Sequence, residues 1–597
     1  MKLLEYPFDA ERILREKKKL RRELLSSDGP FLDIKIAILG GFTTNDVRLI
    51  LELFLLHHGI RPSFYESEYN RYYEDAVFGN DEFNAFQPDL VYLCTCSRNI
   101  QRYPEASDSP ADVEEKLEAA FQRLSAVWSA IQERFGCVII QNNFELPSSR
   151  LLGNRDAADH RGRVLFLSKL NLKLAEYAQT HESFYLNDYN YLAAQYGLDR
   201  WQDPFYWYMY KYALAVPAIP FLAFSVSNII KAIYGKNKKA LALDLDNTIW
   251  GGVVGDDGVE NLKIGQETAE GEAYLDFQDY LKQLSKIGVL LNVNSKNDVC
   301  CALDGLAHPE GILKQEDFIV VKANWEPKSQ NLAEIAQRLN IAADSIVFVD
   351  DNPAERENVR QAFPTVSAPE LGQDPGLYLR ILDHSGFFEC VGLSQEDLNK
   401  SAMYRQNAQR EAIRQDFADY DAYLRSLRMR AEIRPFIPLY LARIAQLTNK
   451  SNQFNLTTKR YSQAEIEAVA GSGEYLNLYG KLTDRFGDNG VVSVVIGHLR
   501  DPQTLDIDLW IMSCRVLKRG MEDAMTDELV LRCRQTGVQT IYGYYYPTKK
   551  NGMVRDFYQR QGYSKLSEDE SGNTVWKLDV SHYEPRGRWI KINRTEE

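Results

Sequence analysis

The chain has 597 residues, of which 45% are hydrophobic and 26% charged, and its formal net charge is −14. This length predicts about three or four domains, and the composition is that of a globular protein. The negative charge argues against a general nucleic-acid-binding protein. The eight cysteines lack the spacing of a metal site or a disulfide framework. We therefore expect the close pairs Cys94/Cys96 and Cys300/Cys301 to be buried reduced thiols, which suits a cytoplasmic protein.

The N-terminal segment, residues 1–30, contains a basic amphipathic pattern at 10–26. We expect a solvated helix that lies on the body of the protein rather than a nucleic-acid-binding arm. No apolar core of a secretory signal follows Met1. Residues 212–230 contain no charged side chain and approach the minimum length of a membrane span, but Pro217 and Pro220 interrupt them. We predict two short segments broken by these prolines, with a helix that leads into the next domain, and no membrane span.

Residues 31–232 alternate between apolar strand patterns and helical patterns. A strand starting at Ile34 enters the turn Gly40-Gly41, and a helix follows at 47–58. Further strands are predicted at 90–94 and 137–141. This alternation predicts a doubly wound parallel sheet. The segment resembles SGNH-hydrolase or flavodoxin-like domains, but Gly41-Phe42-Thr43 stands where SGNH enzymes carry a nucleophilic serine. We therefore expect a docking or scaffold role for it.

The run Ala-Leu-Ala-Leu that ends at Leu243 is followed by Asp244, Asp246 and Thr248. An apolar run of this length predicts a buried strand, and ligands bind at the carboxyl ends of strands in an open parallel sheet. Residues two apart in a strand share a face, so both carboxylates can approach one hard cation. The alternative is an ordinary surface Asp-x-Asp turn.

Three further patterns follow in chain order. A second apolar strand ends at Ser295, Lys328 precedes a helical stretch, and a third apolar strand ends at Asp350-Asp351 with Pro353 behind it. Hydroxyl, amine and paired carboxylates are the groups that phosphoryl chemistry requires, because the transferred group and an attacking carboxylate are both negative.

Together these patterns resemble the four motifs of the haloacid dehalogenase superfamily of phosphotransferases. The resemblance implies that Asp244 is the nucleophile that forms an aspartyl-phosphate, and that Asp246 is the general acid and base. Ser295, Lys328 and Thr248 would bind the phosphoryl group. A Mg²⁺ site would be formed by the following residues: Asp244, Asp246 through its backbone carbonyl, Asp350 and Asp351.

The haloacid dehalogenase-like domain is predicted at 236–385. Glycines in 250–258 suit a hairpin flap over the site, and Asp257-Gly258 supplies turn chemistry. No large insertion separates the motifs, so we expect little cap and a pocket open to a bulky or macromolecular substrate.

The remaining chain divides into a polar helical connector at 394–430, a domain at 431–580 and a tail at 581–597. Strand patterns at 491–499 and 504–512 begin the β-rich part of this domain. Its closing stretch, 551–563, is spaced like the last helix–strand unit of the GNAT acyltransferase fold, an α+β fold.

The GNAT resemblance implies an acyl-donor or pantetheine site. Its loop would hold a pyrophosphate at a helix N-terminus, although Lys518 replaces a usual glycine, which argues against ordinary acetyl-CoA use. Tyr558 would lie near the leaving thiol, and Cys514 is a candidate acyl carrier, with a packing thiol as the alternative. The predicted donor-binding residues are Arg515, Lys518, Arg519, Gly520 and Asn551.

The complete set of motifs, including Leu-Thr-Asn-Lys-Ser-Asn-Gln-Phe-Asn at 447–455, resembles the FkbH-like family. The resemblance covers nearly the whole chain and implies three α/β domains: a doubly wound N-terminal domain, a haloacid dehalogenase-like Rossmannoid domain and a GNAT-like domain. Members take 1,3-bisphosphoglycerate, remove phosphate and load a glyceryl unit onto the phosphopantetheine arm of an acyl carrier protein. Many carry cysteine where this chain has Asn294.

Two functions stay open from the sequence. The first is an enzyme that loads a three-carbon acyl unit onto a carrier thiol. The second is a simple Mg²⁺-dependent phosphatase of a sugar or small-metabolite phosphate, with the outer domains as interaction modules. A non-enzymatic scaffold is disfavoured because the phosphoryl-transfer residues are intact. The sequence leaves a homo-oligomer open.

Overall fold

The computed structural model describes the chain except residues 1, 27–30, 415–416, 418, 451–453, 514–515, 549–550 and 594–597. For residues 395–396, 408, 411–412 and 450 it describes the backbone and not the side chains. The chain forms two compact units. The first comprises Met1–Ile233 with Glu389–Val391, and the second comprises Tyr234–Phe388 with Gly392–Glu597.

The first unit contains a five-stranded parallel sheet in the order β2-β1-β3-β4-β5. Strand β3 is buried along its whole length, as expected for a parallel sheet covered on both faces. The strands are β1 (Leu32–Gly40), β2 (Ile60–Glu66), β3 (Leu90–Cys94), β4 (Val138–Asn142) and β5 (Phe184–Asn187). The helices are Ala10–Leu25, Asn45–His57, Tyr72–Val77, Asp81–Phe86, Pro110–Phe135, Arg163–Thr180, Tyr189–Tyr196, Leu198–Trp201, Pro204–Tyr210 and Ile219–Ile233.

The basic helix Ala10–Leu25 lies against this unit. Its apolar face buries Ile13, Leu20 and Leu24. Its basic face is partly neutralised, since Lys17 pairs with Asp46 at 2.6 Å and Arg21 with Glu52 at 2.9 Å. These contacts support a role in packing.

Val216–Ile233 is long and apolar enough to cross a membrane by length and composition alone. However, 67% of this window is buried inside the protein, as in a core helix. The interruption predicted from the prolines appears as a short 3-10 turn at Val216–Ala218, which is followed by the helix Ile219–Ile233.

The second unit contains a four-stranded parallel sheet in the order β8-β7-β6-β9. The strands are β6 (Ala240–Leu243), β7 (Leu290–Ser295), β8 (Phe318–Ala323) and β9 (Ile346–Val349). Side chains of β6 alternate between two cores. Leu241 and Leu243 pack in the core that includes Phe277, whereas Ala240 and Ala242 pack in the core that includes Leu332 of the helix Lys328–Leu339. By this alternation Asp244 continues the face that meets that helix.

The C-terminal sheet of the second unit has eight strands in the order β15-β16-β14-β13-β12-β11-β10-β17. The strands are β10 (Arg430–Arg434), β11 (Tyr475–Asp484), β12 (Gly487–Asp501), β13 (Thr504–Met512), β14 (Thr540–Tyr545), β15 (Ser564–Glu568), β16 (Thr574–Asp579) and β17 (Lys591–Ile592). Pairing is antiparallel from β10 to β13, and β13 and β14 are parallel. The predicted multi-domain α/β fold class is therefore confirmed.

The helices of the second unit are Val254–Asp257, Ala269–Lys286, Val299–Leu306, Lys328–Leu339, Pro353–Ala362, Tyr378–His384, Gln395–Arg414, Tyr420–Ser426, Leu441–Lys450, Gln463–Gly471, Met521–Thr536 and Phe557–Arg560. Gln395–Arg414 contacts the smaller sheet's domain, since Ser401 Oγ donates to the Ser285 carbonyl at 3.0 Å. The same helix contacts the larger sheet's domain through Arg410, whose guanidinium lies 2.7 Å from Asp484 Oδ1. The helix therefore bridges the two sheets.

Candidate active site

Asp244 stands at the carboxyl end of β6, where the buried strand opens to the site. Its backbone N–H donates to the Val349 carbonyl at 2.9 Å, which holds it against β9. Three residues on, Asn247 adopts φ +54°, a left-handed conformation that asparagine tolerates and that turns the chain away from the strand direction. Its side-chain oxygen accepts from Gly252 N–H at 2.9 Å, which stabilises the turn.

Lys328 places a cation between two carboxylates. It begins the helix Lys328–Leu339, and its Nζ lies 2.8 Å from Asp244 Oδ2 and 2.5 Å from Asp350 Oδ2. The residue is only 3% exposed. Burial lowers the lysine pKa, but the attraction of Asp244 and Asp350 outweighs that effect and leaves the pKa raised. Lys328 is therefore a fixed positive charge at neutral pH.

Asp350 and Asp351 follow β9 and complete an acidic cluster with Asp244. Burial, followed by repulsion from Asp244, raises the pKa of Asp350 to about 7 and raises that of Asp351 as well. Arg356 holds the turn, since its Nη1 donates to the backbone carbonyls of Asp350 and Asp351 at 2.6 and 2.8 Å. The sequence analysis missed Arg356, because no spacing rule connects a helical arginine to carbonyls five and six residues earlier.

Thr248 contacts this cluster rather than standing apart from it. Its hydroxyl donates to Asp351 Oδ1 at 3.2 Å and accepts from the Asp351 N–H at 3.1 Å. Thr248 is fully buried. The paired bonds fix the Asp351 carboxylate relative to the turn that follows β6.

The residues fit a small divalent cation. One oxygen from each of Asp244, Asp350 and Asp351 lies within 4.8 Å of the others. Carboxylate oxygens are the ligands that Mg²⁺ prefers. Three carboxylates against the Lys328 ammonium leave two negative charges when all are ionised, and repulsion from Asp244 adds to the larger effect of burial in raising the pKa values of Asp350 and Asp351. A doubly charged ion would neutralise the cluster.

The Asp246 carboxylate is bound by a separate set of hydrogen-bond donors at the start of the flap. Its Oδ1 accepts from Trp250 Nε1 at 2.9 Å and from Val254 N–H at 3.1 Å, and its Oδ2 accepts from Asn297 Nδ2 at 3.0 Å. Burial raises the Asp246 pKa, against the bonds from Val254 and Trp250, which lower it. A carboxyl with a raised pKa that also accepts strong bonds can alternate between acid and base.

Asn297 is a residue of the site to which the sequence analysis gave no role. It is buried and reaches Asp246 from the turn after β7. Its position in the sequence could have indicated this role, because it follows β7 directly after Ser295-Lys296. Strands β6 and β7 are parallel neighbours, so the turns after them lie at the same edge of the sheet.

The predicted flap differs from a simple hairpin. Gly251 and Lys263 exchange two backbone hydrogen bonds of 3.1 and 2.9 Å, which closes the base of the loop as predicted. Between them the chain forms a helical turn, Val254–Asp257, rather than two extended arms. Val253 and Val254 N–H groups bond to the carboxylates of Asp257 and Asp246, and these side-chain acceptors favour the helical turn.

Ser295 ends β7 and is almost fully buried. Its carbonyl accepts from Asn324 N–H at 3.2 Å, so the ends of β7 and β8 are tied together. The preceding Asn294 donates to the backbone carbonyl of Lys328 at 2.9 Å. Asn294 therefore links the serine turn to the lysine helix.

Of the residues predicted for the C-terminal domain, Lys518 is exposed, whereas Arg519, Asn551 and Tyr558 are buried. Tyr558 and Asn551 are both 0% exposed. Arg519 Nη2 donates to Asn407 at 3.1 Å, and its Nη1 lies 3.6 Å from Asp484 Oδ2. Cys514 and Arg515 lie outside the described residues.

Lys518 and Gly520 both adopt positive φ, at +63° and +84°. The Lys518 N–H donates to Glu522 Oε1 at 3.0 Å, and Gly520 is the N-cap of the helix Met521–Thr536, without a side-chain capping bond. The left-handed Lys518 occupies the position at which the resemblance leads one to expect glycine.

The thiol predictions have a mixed outcome. Cys94 and Cys96 are buried, as predicted. The prediction is wrong for Cys300, which is exposed, and Cys301 is half-buried. The reason is that both belong to the first turn of the helix Val299–Leu306, whose buried face is formed by residues further along, such as Ala302 and Leu306.

Comparison with known proteins relates this chain to a family. The model of the FkbH N-terminal domain matches residues 35–231. The chain is similar to a solved structure of the N-terminal part of the protein BF1531 from Bacteroides fragilis, which contains a phosphatase domain and is complexed with Mg. The identity is 31% and the TM-score 0.58, over 63% of this chain and 99% of that chain. No curated protein matches.

Acetyltransferase structures are matched only at low TM-score. The ribosomal-protein-S18-alanine N-acetyltransferase from Escherichia coli is 13% identical at a TM-score of 0.20, over 26% of this chain and 96% of that chain. Ard1 from Thermoplasma volcanium is 19% identical at a TM-score of 0.20, over 25% of this chain and 97% of that chain. These values support no conclusion about the C-terminal domain.

The family assignment rests on the match to the FkbH N-terminal domain and on the Bacteroides structure, 99% of whose length is matched by this chain. That match includes a phosphatase domain, in agreement with the cluster formed by Asp244, Lys328 and Asp350. The chain therefore belongs to the FkbH-like family of enzymes, with a central domain of the haloacid dehalogenase phosphatase type.

Proposed function

We propose that this protein is a Mg²⁺-dependent phosphotransferase in which Asp244 attacks the phosphoryl group. The observation that carries the proposal is the buried Lys328 ammonium within 2.8 Å of Asp244 and 2.5 Å of Asp350, beside a further carboxylate. A cation fixed next to a nucleophilic carboxylate reduces its repulsion from an anionic phosphoryl group. A structural ion pair alone would not need three converging carboxylates.

In the first step an oxygen of the Asp244 carboxylate attacks phosphorus, and the bond from phosphorus to the leaving oxygen breaks. Asp246 donates its proton to that oxygen, and its raised pKa favours the protonated form that this step requires. The products are an aspartyl-phosphate on Asp244 and a leaving group whose oxygen now carries the proton. Ser295 and Lys328 orient the phosphoryl oxygens.

In the second step Asp246, now ionised, accepts a proton from water. The water oxygen attacks phosphorus, the bond to Asp244 breaks, and inorganic phosphate leaves. Asp244 is regenerated as a carboxylate and Asp246 as an acid, so protons and electrons balance over the cycle.

Mg²⁺, when bound, would neutralise the phosphoryl oxygens and the nucleophile together. Asp244, Asp351, Asp350 and the Asp246 carbonyl are the groups we propose to hold it. The Bacteroides relative complexed with Mg supports this choice of ion.

For the substrate we propose a phosphorylated three-carbon acyl donor, 1,3-bisphosphoglycerate, with the glyceryl unit delivered to an acyl carrier protein. The support is membership of the FkbH-like family. A second candidate is hydrolysis of a sugar or small-metabolite phosphate without acyl transfer. The observation that favours it is the burial of Asn551 and Tyr558, which the thiol end of a pantetheine arm would have to reach.

The test uses the full-length protein with Mg²⁺ and 1,3-bisphosphoglycerate, in the presence and absence of a phosphopantetheinylated carrier. Asp244→Asn is the matched control for spontaneous hydrolysis. Phosphate release above this control together with a carrier that gains the mass of a glyceryl group supports the first candidate. Phosphate release without carrier acylation, seen also with sugar phosphates as substrates, supports the second candidate. No release above the control from any phosphorylated substrate contradicts both.

A further inference from the structure

The strands β13 and β14 diverge soon after they begin. Among the described residues their pairing comprises Thr504–Thr540, Leu505–Ile541 and Asp506–Tyr542. The remainder of β13 extends to Met512 and that of β14 to Tyr545. Diverging parallel strands leave backbone N–H and C=O groups that need other partners. Such a gap is suited to an extended ligand that adds itself as a strand.

In this protein the gap contains a segment of the chain itself, Phe454–Thr457, which we call the inserted segment. On the β13 side, Met512 N–H donates to the Phe454 carbonyl at 3.1 Å and Leu456 N–H donates to the Trp510 carbonyl at 3.2 Å. Thr457 Oγ1 adds a bond of 2.6 Å to the Asp508 carbonyl. Asn455 forms an antiparallel bridge with Ile511.

The inserted segment also bonds to the β14 side. Tyr546 N–H, directly after β14, donates to the Leu456 carbonyl at 2.9 Å. Asn551 Nδ2 donates to the Asn455 carbonyl at 2.9 Å and to the Tyr546 carbonyl at 2.9 Å. Asn551, which the sequence analysis assigned to donor binding, thus uses its amide group to hold the inserted segment against β14.

Packing makes the inserted segment part of the core. Phe454, Asn455, Leu456 and Thr457 are all buried, and Phe454 and Leu456 belong to the main apolar cluster of the C-terminal domain. The Phe454 ring packs edge-on against Phe557 with centroids 5.2 Å apart. Removing the segment would expose these side chains and the backbone groups of both strands.

The chain before and after the inserted segment is also anchored. Asn449, at the end of the helix Leu441–Lys450, donates from Nδ2 to the Tyr461 carbonyl at 3.0 Å, and Thr448 Oγ1 donates to the same carbonyl at 3.2 Å. The motif singled out at 447–455 therefore has a structural role at both ends. Its first residues close the base of a loop, and its last residues enter the gap.

We propose that the inserted segment takes the place of an extended amide-bearing ligand between β13 and β14, and so closes the C-terminal sheet to a pantetheine arm. The chain itself supplies hydrogen bonds to both edges of the gap, at Trp510 and Met512 on one side and at Tyr546 on the other. An acyl acceptor must then meet its donor elsewhere in the protein. This inference depends only on the C-terminal sheet and holds whichever phosphorylated substrate the central domain uses.

The test measures hydrogen–deuterium exchange of the full-length protein with and without coenzyme A, whose pantetheine arm is extended and carries two amides. In the wild type we expect strong protection in peptides containing Leu456, Met512 and Tyr546, and no change on adding coenzyme A. Binding of coenzyme A that leaves these peptides unchanged agrees with the proposal, because the arm then lies outside the gap. Rapid exchange in the free protein, or a change at these peptides on saturable binding, overturns it.

A variant tests the role of Asn551. Asn551→Ala should speed exchange at Leu456 and Tyr546 at least ~10-fold, since two hydrogen bonds to the inserted segment and its neighbour are lost. The matched control is Asn573→Ala, which removes an exposed turn bond to Asp569 in the same domain and should leave those peptides unchanged. Equal exchange in both variants would contradict the role of Asn551. The wild-type measurement decides the main proposal even if Asn551→Ala fails to fold.

Discussion

Replacing Lys328 by methionine removes a buried ammonium while keeping a side chain of similar length. In the wild type Nζ lies 2.8 Å from Asp244 Oδ2 and 2.5 Å from Asp350 Oδ2, and the residue is almost fully buried. Breaking a buried ion pair by removing one partner costs about 3–5 kcal/mol, because the remaining charge is left without compensation. We expect a loss of this size in the local free energy of unfolding around β6, measured in chelator so that no metal replaces the lysine.

The loss should depend on pH in a defined direction. Without Lys328, the pKa of Asp350, already raised to about 7 by burial and by Asp244, should rise further. A carboxyl whose folded pKa is raised binds its proton more tightly in the folded state, so stability falls as pH rises towards that pKa. The difference between variant and wild type should therefore be largest above pH 7 and shrink as pH falls through about 7.

Hydrogen–deuterium exchange of the β6 peptide is the suitable assay, because a chain of several domains does not unfold in two states. Lys322→Met is the control: Lys322 lies in the same sheet and pairs with the more exposed Glu334, where about 0–1 kcal/mol is expected. Adding Asp350→Asn to Lys328→Met should restore part of the stability. Equal losses in the two lysine variants, or a loss that grows as pH falls, would refute this account of the cluster.

Other changes have equally specific outcomes. Lys328→Ala should lower kcat/KM more than Ser295→Ala by at least ~1 kcal/mol, or ~5-fold, because the lysine compensates a full charge; equal losses would contradict the assigned roles. Asp244→Asn should lower phosphate release at least ~10³-fold without unfolding the protein, since an amide cannot attack phosphorus, and near-normal turnover would exclude an aspartyl-phosphate. Activity should require Mg²⁺ and fall with Ca²⁺, which is larger and takes more ligands; full activity in excess chelator would exclude the metal. Asn297→Ala removes a donor to the Asp246 carboxylate, so the Asp246 pKa should rise further and the alkaline limb of the kcat profile should move to higher pH, whereas an unchanged limb would separate Asn297 from the acid–base step.

Much of the central domain was predictable from sequence, because its signals are local. The strand ending before Asp244 and the strand ending before Asp350 are short apolar runs followed by carboxylates, and both appear as fully buried strands. Parallel strands bring their carboxyl ends to one edge, so the chain order of the motifs already implied that their side chains converge.

The partners of those side chains could not be predicted. Arg356 reaches two backbone carbonyls, and Asn297 reaches Asp246, only because turns at the ends of separate strands meet in space. The flap is another example, since Asp257 and Asp246 accept backbone N–H groups and so favour a helical turn where glycine spacing suggested a hairpin.

By itself the sequence determined the α/β class, the order of the phosphoryl-transfer motifs and the ends of the main strands, because each depends on a few neighbouring residues. Only the tertiary structure decided which groups are available to a ligand. Asn551 and Tyr558 have the residue types and spacing of a donor site, yet both are enclosed, and Asn551 bonds to a segment almost a hundred residues earlier in the chain. Burial and long-range hydrogen bonding depend on how distant segments pack, and a local pattern does not contain that information.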